Sequence, residues 1–124
     1  MKKNIDLKVG LQNLGNTCYM NSALQFIFSM DGIPTYFLSG KFKKHLNIKN
    51  KSGSKNCQVT KNFASLLLNI YQKSTYSDFS PYNFKKSVGK QWDIYKGYDQ
   101  HDSHEFLNCL LDIMHEDLLQ NNPK

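Results

Sequence analysis

The chain has 124 residues and a formal net charge of +6, a length that suits one domain with a real core. Its hydrophobic fraction of 40% and charged fraction of 21% exclude a largely disordered, solvated chain. The positive charge comes from lysine because the sequence contains no arginine. Lysine lacks the planar, bidentate geometry with which arginine reads bases and binds phosphates, so lysine content alone gives little support to a nucleic-acid-binding function.

The N-terminus and the cysteines indicate the compartment. The first residues, MKKNIDLKVG, lack the apolar run of a signal peptide, and no stretch approaches the ~18 apolar residues needed to span a bilayer. The three cysteines, Cys18, Cys57 and Cys109, are widely spaced and form no CxxC pair, which favours neither a disulfide framework nor a zinc site. We predict a protein of the cytoplasm or nucleus with reduced thiols, no metal and no membrane contact.

The first predicted helix covers residues 18–30. Its sequence, CYMNSALQFIFSM, has apolar residues on nearly every side and therefore predicts a central helix that is covered all round. Gly32 and Pro34 follow as signals that end it. A short amphipathic segment over residues 35–46 comes next.

A lysine-rich segment over residues 41–61 contains the turn-rich run KNKSGSKN. We interpret it as a solvated loop rather than a binding patch, with a flexible loop over residues 47–58. Cys57 is predicted to be an exposed residue without a function.

Two further helices are predicted in the middle of the chain. The first runs from Val59 to Gln72, where apolar residues recur at helical spacing. Ser80 and Pro81 form a cap followed by proline at the first helical position, and they open a short helix that Gly89 would close.

The last predicted helix lies in DQHDSHEFLNCLLDIMHEDLL and begins with Asp99 as its N-cap. Asp102 and Glu105 place negative charge near its first turn, where the helix dipole favours it, and Cys109 is predicted to lie in the core. An irregular segment precedes the helix and contains Trp92, Tyr95 and Tyr98. Period-two alternation is hard to find anywhere, so the sequence predicts a mainly α-helical fold.

The segment NLGNTCYMNSALQ places Cys18 at the start of the first helix. With Thr17 as the cap, unpaired backbone N–H groups and the positive end of the helix dipole would favour the nucleophilic thiolate. Gly15 allows a tight turn, and the amide of Asn13 can donate to an oxygen that becomes negative when a carbonyl is attacked. On residue types alone a packing role remains open, because free cysteine often behaves as a small apolar group.

Two motifs resemble one enzyme family. The run GLQNLGNTCYMNSALQ, residues 10–25, is similar to the cysteine box of the ubiquitin-specific proteases, which are papain-like deubiquitinases. Residues 98–118, YDQHDSHEFLNCLLDIMHEDL, resemble a second family segment with the pattern Gln-Gln-Asp-Ala-x-Glu-Phe-Leu, with departures at His101 and Ser103. By this resemblance, residues 1–124 form the helical N-terminal thumb half of a papain-like α+β catalytic domain, with the sheet-rich palm and fingers absent.

The resemblance implies a role for four residues. Cys18 is the nucleophile that attacks the carbonyl after ubiquitin's C-terminal Gly-Gly, and Asn13 helps form the oxyanion hole. Asp102 binds the arginine-bearing ubiquitin tail through a charge-assisted hydrogen bond, and Gln100 fixes the nearby loop. Asp102 can also serve as a residue that stabilises the helix start. The reaction needs no cofactor, and the partner is ubiquitin or a ubiquitinated protein.

The family's catalytic histidine and its orienting Asp or Asn have no match in this sequence. None of the histidines lies in the family's His-, Gly- and Tyr-rich context, and His101 and His104 lack a third metal ligand at a recognisable spacing. We therefore expect an incomplete catalytic domain that is inactive alone, with exposed apolar surface covered by a missing C-terminal half or by another chain. The alternative is a catalytically inactive ubiquitin-binding or scaffold module.

Overall fold

A computed structural model describes residues 18–72 and 81–119, and these ranges form six α-helices without a β-strand. The helices are α1 (Cys18–Phe28), α2 (Ile33–Leu38), α3 (Phe42–His45), α4 (Gln58–Gln72), α5 (Tyr82–Gln91) and α6 (Ser103–Asp117). Single 3₁₀ turns lie at Lys55–Cys57 and Asp93–Tyr95. The mainly α-helical prediction is confirmed. The expectations for Asn13, Gly15, Thr17 and Ser80 fall outside the described residues.

The core lies where α1 packs against α6 and α4 packs against α5 and α2. The four longer helices, α1, α4, α5 and α6, each contribute large side chains with almost no exposed surface: Met20, Leu24, Ile27, Phe28, Phe63, Leu67, Phe84, Phe106 and Leu110. Phe63 contacts the rings of Phe28, Phe37 and Phe84 at centroid distances of 5.4, 5.1 and 6.3 Å. Aromatic residues of four helices therefore meet at the centre of the domain.

α1 is not covered all round, so that part of the sequence prediction is wrong. The helix ends at Phe28 rather than at Met30, and the side chain of Phe26 is 56% exposed. Apolar residues surround the helix, but α6 and α2 pack against only part of its circumference. Burial therefore follows the neighbouring helices rather than the composition of α1 itself.

Gly32 and Pro34 begin α2 instead of merely ending α1. Gly32 precedes α2 with φ 86°, a left-handed conformation that favours glycine. Pro34 lies in the first turn, where the missing N–H of proline costs no helical hydrogen bond. Gly40, with φ 83°, then divides the segment predicted over residues 35–46 into α2 and α3.

The lysine-rich segment is not simply a solvated loop. It contains α3, the turn Lys55–Cys57 and the beginning of α4. Two asparagines between α3 and α4 are hydrogen-bonded to the end of α6. Asn47 N donates to the carbonyl oxygen of Asp117 at 2.8 Å, and the Asn50 amide donates to the carbonyl oxygen of Glu116 at 2.9 Å. Flexibility of residues 47–58 stays a prediction.

Cys57 is fully buried, so the prediction of an exposed thiol is wrong. Its Sγ lies 3.6 Å from the carbonyl oxygen of Asp117. Burial, followed by the nearby charge of Asp117, raises the pKa of the Cys57 thiol. Both effects keep this cysteine protonated and unreactive.

α4 confirms the helix predicted from Val59 to Gln72, beginning one residue earlier. α5 is present but begins one residue later than predicted, because Pro81 is its N-cap rather than its first helical residue, and Gly89 does not close it. A Cβ atom at Gly89 would lie 3.1 Å from the Cα of Lys96. The glycine thus permits the backbone after α5 to pass close to the helix.

α6 begins at Ser103, and its N-cap is Asp102 rather than Asp99. Asp102 has extended backbone angles, and its Oδ1 accepts a hydrogen bond from the backbone N–H of His104 at 2.8 Å. This is the geometry in which an aspartate satisfies a free donor of the first helical turn. Cys109 is half-buried rather than fully in the core.

Candidate active site

Cys18 is the first residue of α1, and it is exposed. The N-terminal end of a helix carries unpaired N–H groups and partial positive charge, which stabilise a thiolate or an oxyanion placed there. No acidic side chain lies in the first turn of α1 to oppose this field. Cys18 lies in α1, as the sequence predicts, whereas its predicted cap Thr17 and the predicted oxyanion-hole residue Asn13 lie outside the described residues.

Tyr19, which follows Cys18 in α1, packs against the segment that precedes α6. The Tyr19 ring contacts the His101 ring edge-on, with centroids 5.2 Å apart, and it stacks on the Tyr95 ring at 5.6 Å. Tyr95 in turn contacts His101 at 4.9 Å, and Phe106 closes the cluster against both tyrosines. This ring cluster, Tyr19, Tyr95, His101 and Phe106, brings together the two segments that carry the candidate site residues.

Gln100 and Asp102 flank His101 in the sequence, and both are exposed. One carboxylate oxygen of Asp102, Oδ1, caps α6. Because a carboxylate has two oxygens and several lone pairs, capping leaves Asp102 able to accept a further hydrogen bond. The structure thus places an exposed acidic group beside the ring that contacts Tyr19.

Burial dominates the electrostatics of the ring cluster. Burial raises the pKa of Tyr19 and, with smaller contributions from Cys109 and Glu105, raises the pKa of Tyr95 to about 12. The Tyr19 hydroxyl and the His101 Nε2 are buried, and neither has a hydrogen-bond partner within residues 18–72 and 81–119. The cluster therefore acts by packing, and its tyrosines stay protonated at neutral pH.

A buried lysine holds the segment that leads to Gln100. The Lys85 ammonium donates to the carbonyl oxygen of Tyr95 and, at 2.7 Å, to that of Gly97. It also lies 5.0 Å from the centre of the Tyr98 ring, within the range of a cation–π contact. Burial lowers the pKa of Lys85. These contacts fix the backbone of residues 95–98 against α5.

The histidines do not form a metal centre in the part of the chain that the structure describes, where no group of three or more potential ligands comes together. His45 shares a hydrogen bond of 2.7 Å between its Nδ1 and the Tyr36 hydroxyl, whereas His104 and His115 are exposed. His101 is half-buried, because its ring packs edge-on against the rings of Tyr19 and Tyr95. None of the helices in these ranges combines the length and apolar composition needed to cross a bilayer.

Cys18, Gln100 and Asp102 are candidates by sequence, whereas Lys85 and the ring cluster become visible only in the structure. Lys85 occupies a position in α5 between exposed Asn83 and Lys86, and nothing in the local pattern distinguishes it from a surface lysine. Tyr95 was placed in an irregular segment, although its aromatic ring could have indicated burial.

Comparisons with known proteins bear on the two motifs. Residues 9–124 match the sequence profile of the family described as ubiquitin carboxyl-terminal hydrolase. Ubiquitin carboxyl-terminal hydrolase 4 of Vanderwaltozyma polyspora is 36% identical over 96% of this chain. The probable ubiquitin carboxyl-terminal hydrolase 1 of Schizosaccharomyces pombe and ubiquitin carboxyl-terminal hydrolase 15 of Xenopus tropicalis are 42% and 40% identical, each over 88% of this chain.

The chain spans only 14%, 13% and 11% of the lengths of these three relatives. The matched region nevertheless includes both motifs, and the helical fold agrees with a helical part of a papain-like enzyme. The resemblance noted in the sequence is confirmed: this chain belongs to the ubiquitin carboxyl-terminal hydrolase family.

Proposed function

We propose that this chain supplies the nucleophile and part of the substrate-tail site of a thiol-dependent deubiquitinase, which hydrolyses the bond after the C-terminal glycine of ubiquitin. One observation carries the proposal. The exposed Cys18 begins α1, and the next residue, Tyr19, contacts the ring of His101 directly beside Asp102. A nucleophile and an exposed carboxylate are thus held on one packed unit.

In the proposed reaction the Cys18 thiolate attacks the carbonyl carbon of ubiquitin's terminal glycine. The carbonyl oxygen becomes negative, and the N-terminal end of α1 together with the Asn13 amide stabilises it. The C–N bond then breaks, the amine leaves with a proton, and a thioester to Cys18 remains. Water hydrolyses this thioester and releases ubiquitin and the free thiol.

Asp102 and Gln100 are proposed to orient the substrate. The extended ubiquitin tail carries arginines, and Asp102 can bind one of them while its Oδ1 still caps α6. Gln100 is proposed to fix the loop before Asp102. Because a positioned tail converts the attack into an effectively intramolecular step, these residues act mainly on orientation.

The proton transfers need a general base, and we propose that a histidine outside residues 1–124 supplies it. General acid–base catalysis contributes roughly 10²- to 10⁴-fold to the rate of such reactions. The 124-residue chain alone is therefore expected to cleave ubiquitin-rhodamine slowly or not at all. Efficient cleavage by this chain, abolished by Cys18→Ala, would contradict the proposed division of the active site.

Labelling with a ubiquitin probe that carries a C-terminal electrophile tests the proposal directly. The probe should modify the chain at Cys18, because labelling requires both an exposed thiol and a recognised tail. Cys18→Ala should abolish the adduct, and Asp102→Ala should slow it about tenfold. Cys109→Ala is the matched control, since Cys109 is a second thiol that is only half-buried, and it should leave labelling unchanged.

Two results would overturn the assignment. Modification at Cys109 instead of Cys18 would mean that Cys18 is not the nucleophile. Binding of ubiquitin without any labelling would favour the catalytically inactive, ubiquitin-binding module.

A further inference from the structure

A groove of about 420 Å³ lies between α2, α3 and α4, on elements that carry none of the candidate active-site residues. Phe37, Phe42 and Ala64 are buried and form its floor, and Leu38, Leu46 and Leu68 are part of its wall. Leu68 is 41% exposed although it lies next to this apolar surface. The size and the lining are those of a binding site rather than of a packing defect.

The charges at the groove have one sign. Lys43 of α3 and Lys61 of α4 line it, and no carboxylate of residues 18–72 and 81–119 does. The sequence extends this asymmetry, because residues 32–77, which include α2, α3 and α4, contain no aspartate or glutamate. The same stretch holds eight of the sixteen lysines: Lys41, Lys43, Lys44, Lys49, Lys51, Lys55, Lys61 and Lys73.

From this combination we infer that the groove binds an acidic peptide segment of a partner protein, which inserts apolar side chains between α3 and α4 and places carboxylates against Lys43 and Lys61. Burial of apolar surface supplies the affinity. The lysines supply the selection, because a positive surface attracts acidic segments and repels basic ones. The inference stands apart from the proposed hydrolase activity, since the groove shares no residue with that site.

The arrangement of the lysines favours a peptide over a single-headed amphiphile. Lys43 and Lys61 belong to different helices, and they lie in a stretch with eight lysines and no acidic residue, so a partner with several carboxylates can pair more of this charge than a partner with one. A fatty acid offers one carboxylate, whereas a peptide with acidic residues on both sides of an apolar pair offers several. Helical peptides with apolar side chains on one face commonly bind to such grooves.

Fluorescence polarisation with the 124-residue chain tests the inference. The probe is a fluorescein-labelled peptide of sequence EELFDLLEE, with KKLFKLLKK as the charge-reversed control and EESSDSSEE as the control without apolar side chains. The acidic, apolar peptide should bind saturably, and both controls should bind at least tenfold more weakly. Its affinity should also fall as salt concentration rises.

Variants locate the binding. Leu68→Asp and Lys61→Glu should each weaken the acidic peptide at least fivefold. Lys90→Glu makes the same charge change on α5, outside the groove, and should alter binding less than twofold. Circular dichroism checks that each variant keeps its helices.

Four results would overturn the inference. The first is absence of saturable binding, and the second is equal binding of the charge-reversed peptide. The third is a loss of peptide affinity in Lys90→Glu equal to that in Lys61→Glu, which would mean that the overall charge of the chain, and not the groove, attracts the peptide. The last is evidence for another occupant. A fatty acid would be that occupant if laurate displaced the labelled peptide at a lower concentration than unlabelled peptide does, and a second copy of the chain would be if Leu68→Asp dissociated a dimer.

Discussion

The carboxylate of Asp117, at the end of α6, accepts hydrogen bonds from the backbone N–H of Ser54 at 2.7 Å, the Ser54 hydroxyl at 2.6 Å and the Thr60 hydroxyl at 2.7 Å. All three residues are buried. The contacts join the C-terminal end of α6 to the beginning of α4 across about sixty residues of sequence. Asp117 therefore closes the fold at the side opposite to the N-cap of α6.

Asp117→Ala should lower the free energy of unfolding by about 3 kcal/mol or more, because it leaves three buried donors without an acceptor. Urea unfolding followed by circular dichroism measures this as a lower midpoint at an unchanged m-value. Asp112→Ala removes a carboxylate from an exposed position of the same helix and should change the free energy by less than about 0.5 kcal/mol. Equal effects of the two substitutions would show that the Asp117 contacts are not the cause.

Lys85→Met should loosen residues 95–98, because two backbone carbonyl groups lose their donor. We expect faster amide hydrogen exchange in this segment and a loss of about 2 kcal/mol in the free energy of unfolding. The control is Lys86→Met, at the neighbouring exposed position, which should leave both quantities nearly unchanged. Unaltered exchange in Lys85→Met would mean that packing alone holds the segment.

The raised pKa of Tyr95 should make the free energy of unfolding decrease at alkaline pH. Its folded-state pKa of about 12 lies above the ordinary tyrosine value of about 10. Between these values the unfolded chain releases a proton that the folded chain retains, so the free energy of unfolding decreases as pH rises. Tyr95→Phe should make this decrease shallower by up to about 1.4 kcal/mol per pH unit.

The measurement for Tyr95 is denaturant unfolding at several pH values from 9 to about 12. Tyr82→Phe, at an exposed position, is the control and should leave the slope unchanged. A Tyr95→Phe slope equal to that of the wild type would place the alkaline titration on other groups.

Gly89→Ala should destabilise the protein, although alanine is the better helix former. Its Cβ would lie 3.1 Å from the Cα of Lys96, and backbone atoms can move aside only at a cost. We expect a loss of about 1–3 kcal/mol, as in other overpacked sites. At Gly97 a Cβ would meet no atom within 4 Å, so Gly97→Ala should be nearly neutral. Thermal unfolding compares the two, and a stabilised Gly89→Ala variant would contradict the close approach.

The sequence was informative where a pattern is local. Helical spacing predicts α4 to within one residue, and the apolar residues after Cys18 predict the presence of α1. Asp99 and Asp102 are both suitable N-caps by residue type. The choice between them depends on His101, whose ring packs against Tyr19 and Tyr95 and keeps residue 101 outside the helix.

Long-range contacts explain the remaining errors. Cys57 follows a run rich in lysine and serine, whereas in the fold it is buried and contacts Asp117, sixty residues later. Glycine is typical of helix ends, but at Gly89 its function is to leave room for the backbone of Lys96. Lys85 likewise finds its acceptors in Tyr95 and Gly97, which belong to no periodic pattern.

The contact between Tyr19 and His101 has a consequence for how the site can vary. Each ring belongs to the immediate sequence neighbour of a candidate functional residue, Cys18 or Asp102. The packing of these two rings therefore helps to set where Cys18 and Asp102 lie relative to each other. Under the proposed function, a substitution that enlarges or shrinks either ring should shift Cys18 relative to Asp102 and so misalign the tail, although neither ring touches it.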